Sequence, residues 1–331
     1  MKALKGPVRV RVPASTANLG PGFDALGMAL SLYAWIEMKE SDRTRIRLYG
    51  SELNGVPEDK SNLIYKIAQQ LFRKAGVRLP ELEISMYSDI PLTSGLGSSA
   101  SAIVGALVAA NGLIGEPFSP DELFQMATRL EDHPDNVGAS LFGGIVSAVW
   151  DGCRATGIRL EPPEDLALLV AVPDFRLSTD KARHLLPDTV SRRDAVFNVG
   201  HASLLTAALA AGRLDLLGTA MQDRLHQPYR TALVPGMDRI LQEAPKRGAL
   251  GVALSGAGPA IVCFIDRRRN AHAGLEAFLA EAFREAGVTA RTMRLEPDRE
   301  GVRLLVPGDP LYAEFDALKG EVRTLFASPN S

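Results

Sequence analysis

Two short stretches hold most of the residues able to do chemistry. The first is Ile90-Pro-Leu-Thr-Ser-Gly-Leu-Gly-Ser-Ser-Ala-Ser101. Gly95 and Gly97 carry no side chain, so a ligand can approach the backbone closely. Ala100 to Ala110 reads as a buried helix, and free backbone N–H groups at a helix start favour an anion. Ser98, Ser99 and Ser101 add hydroxyl donors. The stretch reads as a phosphate cradle, set against a plain Gly/Ser turn between strand and helix. A Walker-type loop does not fit, because no Gly-Lys-Ser/Thr follows. Gly95-Leu-Gly97-Ser-Ser-Ala100 also matches a dinucleotide fingerprint. That reading needs an acidic residue ending a second strand about twenty residues on, where Gly115 to Pro120 reads as a loop.

The second stretch is Glu131-Asp-His-Pro-Asp-Asn136. Its carboxylates Glu131, Asp132 and Asp135 repel one another unless a cation or donors compensate. A solvated helix end would be the plain explanation. Acids are disfavoured at a helix C-terminus, however, which points to function. A third segment, Pro13 to Asp24, mixes the turn formers Gly20, Pro21 and Gly22 with the polar Ser15, Asn18 and Asp24. It reads as a connecting loop or as a binding loop held between strands.

Hydrophobic periodicity supplies the elements that must position these groups. Val8, Val10 and Val12 alternate with arginines in a first strand that Pro13 ends. Ala25 to Glu40 reads as a strand with Thr44 to Gly50 as its partner. Ser61 reads as the cap of a helix that Gly76 stops. Leu82, Ile84 and Met86 form a strand with one buried face leading into the cradle. Ser119-Pro-Asp-Glu122 is a strong helix start, and that helix stops near His133-Pro134. Phe142 to Trp150 returns as a strand, and Pro162-Pro163 marks a domain boundary. Beyond it, a strand at Leu166 to Val172 precedes helical patterns at Thr179 to Leu186, Arg192 to Ala211, Leu214 to Leu225 and Met237 to Lys246. Strands at Ala249 to Leu254 and Ala260 to Ile265 flank a turn at Ser255 to Pro259. A helix at Ala271 to Ala286 and a strand at Thr289 to Leu295 follow. That order is the ferredoxin-like split β-α-β unit.

At 331 residues the chain is long enough for two domains, 1–162 and 163–331. A net charge of −2 offers no general attraction to nucleic acid or an anionic membrane. Two cysteines, Cys153 and Cys263, make no disulfide framework, and Cys263 sits in a buried-strand pattern. No apolar run approaches a bilayer span, and the start, with Lys2 and Lys5, lacks the apolar region of a leader. A soluble, cytoplasmic protein is expected.

Taken together, Pro13 to Asp24, Ile90 to Ser101 and Leu254 to Pro259 resemble the three motifs of the galactokinase, homoserine kinase, mevalonate kinase and phosphomevalonate kinase superfamily, in that superfamily's order. The wording of Pro13 to Asp24, Glu131 to Asn136, Leu177 to Arg183 and His226 to Arg230 is similar to the homoserine kinase branch. The likeness covers roughly residues 8 to 296. Asp132, where glycine is common, and Gly138-Ala139, where Ala-Pro is common, depart from the pattern. The resemblance implies an α+β, two-domain fold: an N-terminal ribosomal-protein-S5-like domain, with a left-handed crossover, and a C-terminal ferredoxin-like α/β sandwich. It implies ATP-dependent phosphorylation of L-homoserine to O-phospho-L-homoserine with Mg2+. ATP would be held by Asn62 and by Pro91, Leu92, Thr93, Ser94, Gly95, Leu96, Gly97, Ser98, Ser99, Ala100 and Ser101. Ser98 and Glu131 would hold the metal. Asp135 and Asn136 would sit at the reacting hydroxyl, with His133 as an orienting donor. Asn18 and Asp24 would take the substrate ammonium, and Arg183 and Arg230 its carboxylate. A homodimer is expected on the same ground. Another small-molecule kinase of the superfamily, such as a mevalonate-type enzyme, is the alternative. A non-catalytic metabolite sensor is another, although it would not need Ser98 and Glu131, both present. The tail after Pro297 has no counterpart in the resemblance.

Overall fold

A computed structural model describes residues 6–78, 81–269 and 272–326. Lys2, Lys5 and residue 271, where the sequence places the start of the late helix, lie outside them. The first half runs β1 (Val8–Asn18), β2 (Gly22–Ser41), β3 (Arg45–Tyr49), α1 (Leu63–Lys74), β4 (Glu81–Ser88), α2 (Ser98–Leu113), α3 (Pro120–Glu131), α4 (Asp135–Phe142), β5 (Ile145–Trp150) and β6 (Ala155–Leu160). The second half runs β7 (Leu166–Pro173), α5 (Thr179–Arg183), α6 (Arg192–Ala210), α7 (Leu217–Ala220), α8 (Gln227–Arg230), α9 (Met237–Glu243), β8 (Gly251–Leu254), β9 (Ile261–Asp266), α10 (Ala273–Glu285) and β10 (Ala290–Leu295). The chain then closes with β11 (Arg303–Leu305) and α11 (Pro310–Phe326).

Several local expectations are corrected. Pro13 does not end β1. The pairing with β2 continues to Asn18↔Gly22, with a register shift between Pro13 and Ala14 where proline has no N–H for the ladder. Most of the supposed loop from Pro13 to Asp24 is therefore strand. β3 pairs in parallel with β4, not with β2, because β2 already has β1 on one edge and β4 along Ala34 to Ser41 on the other. Two of the polar alternates of β4, Glu83 and Ser85, are buried too, and Glu83 accepts from Arg47 at 3.0 Å, with Lys39 at 3.4 Å. The cap of α1 is Asn62, whose Oδ1 accepts from the Ile64 N–H at 2.9 Å; Ser61 instead bonds Asp59. α3 has the full capping box at Ser119 and Glu122.

β2 serves two partners on one edge. Leu26 to Met28 pair with β5, and Ala34 to Ser41 with β4. Between them the chain leaves the sheet, the Asp89 N–H donating to the Tyr33 carbonyl at 3.0 Å, and enters the Gly/Ser bend. α2 follows as a helix buried on nearly every face. Its small residues let it lie directly on β1 and β2: a Cβ on Gly105 would overlap Ile36 and press on Val12. After α2 the chain enters α3 and not a second parallel strand, so the dinucleotide topology is excluded.

The second sheet has the order β10-β7-β9-β8, antiparallel throughout, as the ferredoxin-like reading requires. β7 is apolar along its whole length because it faces two cores. Leu166, Leu168, Val170 and Val172 pack toward the first half, and Ala167, Leu169 and Ala171 toward α9 and α10. Cys263 lies in the second of these cores, where burial pushes its thiol up to about 12. The pattern at Leu214 to Leu225 breaks early, and an unexpected short helix, α8, follows. The buried Asp223 accepts from the N–H groups of Leu225, His226 and Gln227, which fixes that turn. The expected boundary at 162/163 falls in the connection between β6 and β7, but the end of the chain returns to the first sheet. β11 pairs with β1, α11 stacks Phe315 on Trp35, and Arg9 holds Asp316 at 2.8 Å. Among the described residues no helix is long and apolar enough to cross a membrane.

Candidate active site

The two halves meet over a cleft of about 310 Å³. Part of its lining is apolar: Trp35 and Ile36 of β2, Leu53 and Val56, Ile64, and Met86 and Tyr87 of β4. The rest is charged and polar, from the β1–β2 turn, the Gly/Ser bend, the α3–α4 corner, α5 and α8. The sequence reading did not single out the apolar wall. Its residues look like ordinary core until the sheet edge leaves them facing a space.

Of the bend residues, Pro91 and Leu96 do not line the cleft. Leu96 is a core residue, and the Pro91 carbonyl accepts from Ser94 Oγ at 2.8 Å. The glycines have a different reason from the one expected. A Cβ on Gly95 would overlap the Ser255 carbonyl, and one on Gly97 would overlap Ser15 Oγ. Both also have positive φ, +87° and +70°, which glycine adopts at no steric cost. The Ser255 backbone fills the room the missing side chain of Gly95 leaves, and the Ser15 hydroxyl that of Gly97. The bend is thereby pinned to both halves: Ser15 N–H donates to Leu96 O at 3.2 Å, Ser255 Oγ to Gly95 O at 2.6 Å, and Ala260 N–H to Ser94 O at 2.9 Å. α2 begins at Ser98 with the first-turn N–H groups of Ser98, Ser99 and Ala100 beside the cleft. Ser101 Oγ is spent on the Ser98 carbonyl, while Ser99 Oγ reaches Glu131.

The acidic corner is also rearranged. Glu131 ends α3, but Asp135 starts α4, so its carboxylate sits at a favourable helix N-terminus and not at the unfavourable end the sequence suggested. Asp132 caps α3 with φ +67°, the left-handed conformation that explains why glycine is common there and why aspartate is tolerated. Asp135 is 1% exposed. Its Oδ1 lies 2.6 Å from His133 Nδ1 and accepts from the Asn136 N–H at 2.6 Å, leaving Oδ2 without a donor from the described residues. Asn136 Oδ1 accepts from Ser15 Oγ at 2.9 Å. Burial pulls the His133 pKa down, but Asp135, then Glu131 and Asp24, outweigh it and raise it to about 9. This shift favours the protonated ring, which donates through Nδ1 to Asp135.

The groups assigned to an amino-acid substrate are partly engaged with one another. Arg183 donates to both oxygens of Asp24, at 2.9 and 2.8 Å. Asn18 holds the turn itself: Oδ1 accepts from the Asp24 N–H at 3.0 Å, and Nδ2 donates to Gly256 O at 2.9 Å. Asn62 lines the cleft, but its side chain is taken by the helix cap and by the Pro57 carbonyl at 2.7 Å. Arg230 differs from these. It is 1% exposed, and among the described residues no carboxylate lies within ion-pair range of it. Nε donates to Ala182 O at 3.3 Å, Nη1 to Gly256 O at 3.1 Å and to His226 Nδ1 at 3.1 Å, and Nη2 donates to no described residue. Burial first, then the nearby Arg183, lowers its pKa to about 10. Phe23, which the sequence reading passed over, lies under both guanidiniums, 5.6 Å from Arg183 and 5.4 Å from Arg230. Its place between Gly22 and Asp24 was the available signal.

Residues 62–144 match the family model for the GHMP kinases N terminal domain, and residues 205–285 that for the GHMP kinases C terminal domain. The chain is 46% identical over 295 residues to the homoserine kinase of Deinococcus radiodurans, spanning 89% of this chain and 96% of that one. It is 44% identical over 292 residues to the homoserine kinase of Moorella thermoacetica, spanning 88% and 98%. The crystal structure of homoserine kinase from Cytophaga hutchinsonii aligns with a TM-score of 0.82 at 27% identity, covering 92% of this chain and 99% of that one.

Proposed function

The chain belongs to the homoserine kinases within the GHMP kinases, and from that membership we propose that it transfers the γ-phosphoryl group of ATP to the side-chain hydroxyl of L-homoserine, forming O-phospho-L-homoserine and ADP. The observation that carries the substrate half is Arg230. A guanidinium withdrawn from water with only neutral partners is costly, and a ligand carboxylate in the cleft supplies the missing counter-charge. Arg183 joins it through bidentate donation, and Asp24, relieved of part of its hold on Arg183, takes the ammonium. In this reading Asn18 shapes the turn instead of binding the ammonium directly.

The nucleotide takes the rest of the cleft. Its base lies on the apolar wall of Trp35, Ile36, Met86 and Tyr87, and its phosphates on the first-turn N–H groups of α2. Asn62 serves by fixing the start of α1 against that wall. Glu131, Ser98 and Ser99 are hard oxygen donors of the class Mg2+ prefers, and Ser99 already reaches Glu131, so this corner fits the ion. When bound, Mg2+ would neutralise charge on the β- and γ-phosphates. Asp135, locked by His133 and the Asn136 N–H, points the substrate hydroxyl in line with the γ-phosphorus. A carboxylate is a far weaker base than an alkoxide, so the larger share of the rate enhancement comes from orientation and from donors matched to the transferring group.

The test is ADP release by the purified protein with Mg-ATP and a panel of alcohols. Turnover of L-homoserine is expected, with none of mevalonate or galactose. Arg230→Met should raise KM for homoserine by about 100-fold, the loss for one partner of a buried charge pair, and leave KM for ATP in place. An unchanged homoserine KM would remove the carboxylate assignment.

A further inference from the structure

His226 lies directly behind Arg230 and is not part of the cleft lining. It is 0% exposed. Its Nε2 is 2.7 Å from the Gly20 carbonyl. A carbonyl can only accept, so Nε2 carries the proton. The other nitrogen, Nδ1, is 3.1 Å from Arg230 Nη1. A guanidinium can only donate, so Nδ1 presents its lone pair. The two contacts thus fix one neutral tautomer, and a second proton on Nδ1 would set donor against donor and cation against cation. Burial lowers the pKa of this histidine, in the same direction. Asp223, the nearest carboxylate, is 3.6 Å from Nε2 and is occupied by backbone N–H groups. The ring stacks on Phe23 at 5.3 Å, and the same Phe23 underlies Arg230.

We propose that His226 is a positioning residue for the substrate carboxylate: as the Nε2–H tautomer anchored on Gly20, it accepts from Arg230 Nη1, fixes the guanidinium plane and reserves Nη2 for the ligand. This rests on the reading that Arg230 binds that carboxylate. The role follows from arginine geometry. With Nε and Nη1 committed to Ala182, Gly256 and His226, the fork cannot rotate, and little ordering remains to be done when the ligand arrives.

The experiment is a double-mutant cycle on the full-length enzyme, with His226→Phe, Arg230→Met and the pair. KM for L-homoserine and for ATP is measured for each, together with turnover of homoserinol, which carries CH2OH in place of the carboxylate. His226→Phe should raise homoserine KM by about tenfold, the factor one hydrogen bond to a charged group is worth. KM for ATP and the homoserinol kinetics should not move. In the Arg230→Met background the same change should have no further effect, and His226→Gln, whose amide can donate to Gly20 and accept from Arg230, should recover most of the loss. Additive effects, or an equal loss on homoserinol, would overturn the proposal. If Arg230→Met itself left homoserine KM unchanged, the carboxylate assignment would fall first and this proposal with it. On wild-type enzyme, 15N-histidine NMR should show one ring as the neutral Nε2–H form whose Nδ1 signal shifts on adding homoserine. A ring protonated on Nδ1 at this site would sink the proposal without any variant having to fold.

Discussion

Asp24 and Arg183 form a bidentate pair across the cleft floor, joining the β1–β2 turn to α5. The substrate of the proposed reaction, a zwitterion, brings the complementary pair of charges to this pair. Removing one member should therefore invert the local preference. Asp24→Asn leaves two guanidiniums facing the cleft with less opposing charge. Homoserine KM is expected to rise, and sulfate should become an inhibitor competitive with homoserine; steady-state kinetics at increasing sulfate, at constant ionic strength, checks both. His133 belongs to the same charge group. Held as a cation by Asp135, Glu131 and Asp24, it keeps a cluster of carboxylates from repelling one another within a buried corner.

Among the elements, the bend before α2 is the piece on which both halves converge. Its glycines are needed because strand and turn backbone from β1 and from the β8–β9 connection press against it. Gly97→Ala should cost about 2–4 kcal/mol, from a strained left-handed residue and an overlap with Ser15 that packing cannot easily relieve. Thermal unfolding would show this as a drop of several degrees, with ATP KM raised in whatever protein remains folded. Gly138 on α4 follows the same logic: an added Cβ would lie 2.9 Å from Val146 Cγ1 and 3.2 Å from Phe124 Cε2. The departure from the common Ala-Pro wording is thus matched by its packing.

On the scale of the whole molecule, α11 braces the outer part of the first sheet through Phe315 on Trp35 and through Arg9 with Glu37 and Asp316. Trp35 also lines the apolar wall of the cleft, so the end of the chain supports from behind the wall proposed to take the nucleotide base. Arg9 and then Lys319 hold the Asp316 carboxyl down to about 2. Its folded-state pKa lies below the unfolded one, so its contribution is present above about pH 4 and is lost as pH falls towards 2. Asp316 is largely exposed, which keeps the contribution small. Acid titration followed by tryptophan fluorescence should show a change at Trp35 in that window, absent in Asp316→Asn. A matching change in that variant would detach the effect from this ion pair.

What the sequence determined by itself was local or written in motif order. The apolar run of β7, the helix start at Ser119 and the succession of strands and helices in the second half are written in short stretches of the chain, and they are legible without coordinates. So were the stretches that line the cleft, because their glycines, serines and charges stand out from ordinary surface composition. Tertiary structure decided the partners. Nothing in the chain around Asp24, Asn18 or Arg230 says that the first is tied to Arg183, that the second is consumed by its own turn, or that the third hydrogen-bonds to neutral groups. β3 chose β4 because the edges of β2 were already occupied, and the final helix returned to the first sheet because an aromatic face there needed cover. Pairings across hundreds of residues depend on which surfaces remain open once the rest has packed, and periodicity along the chain carries no record of that.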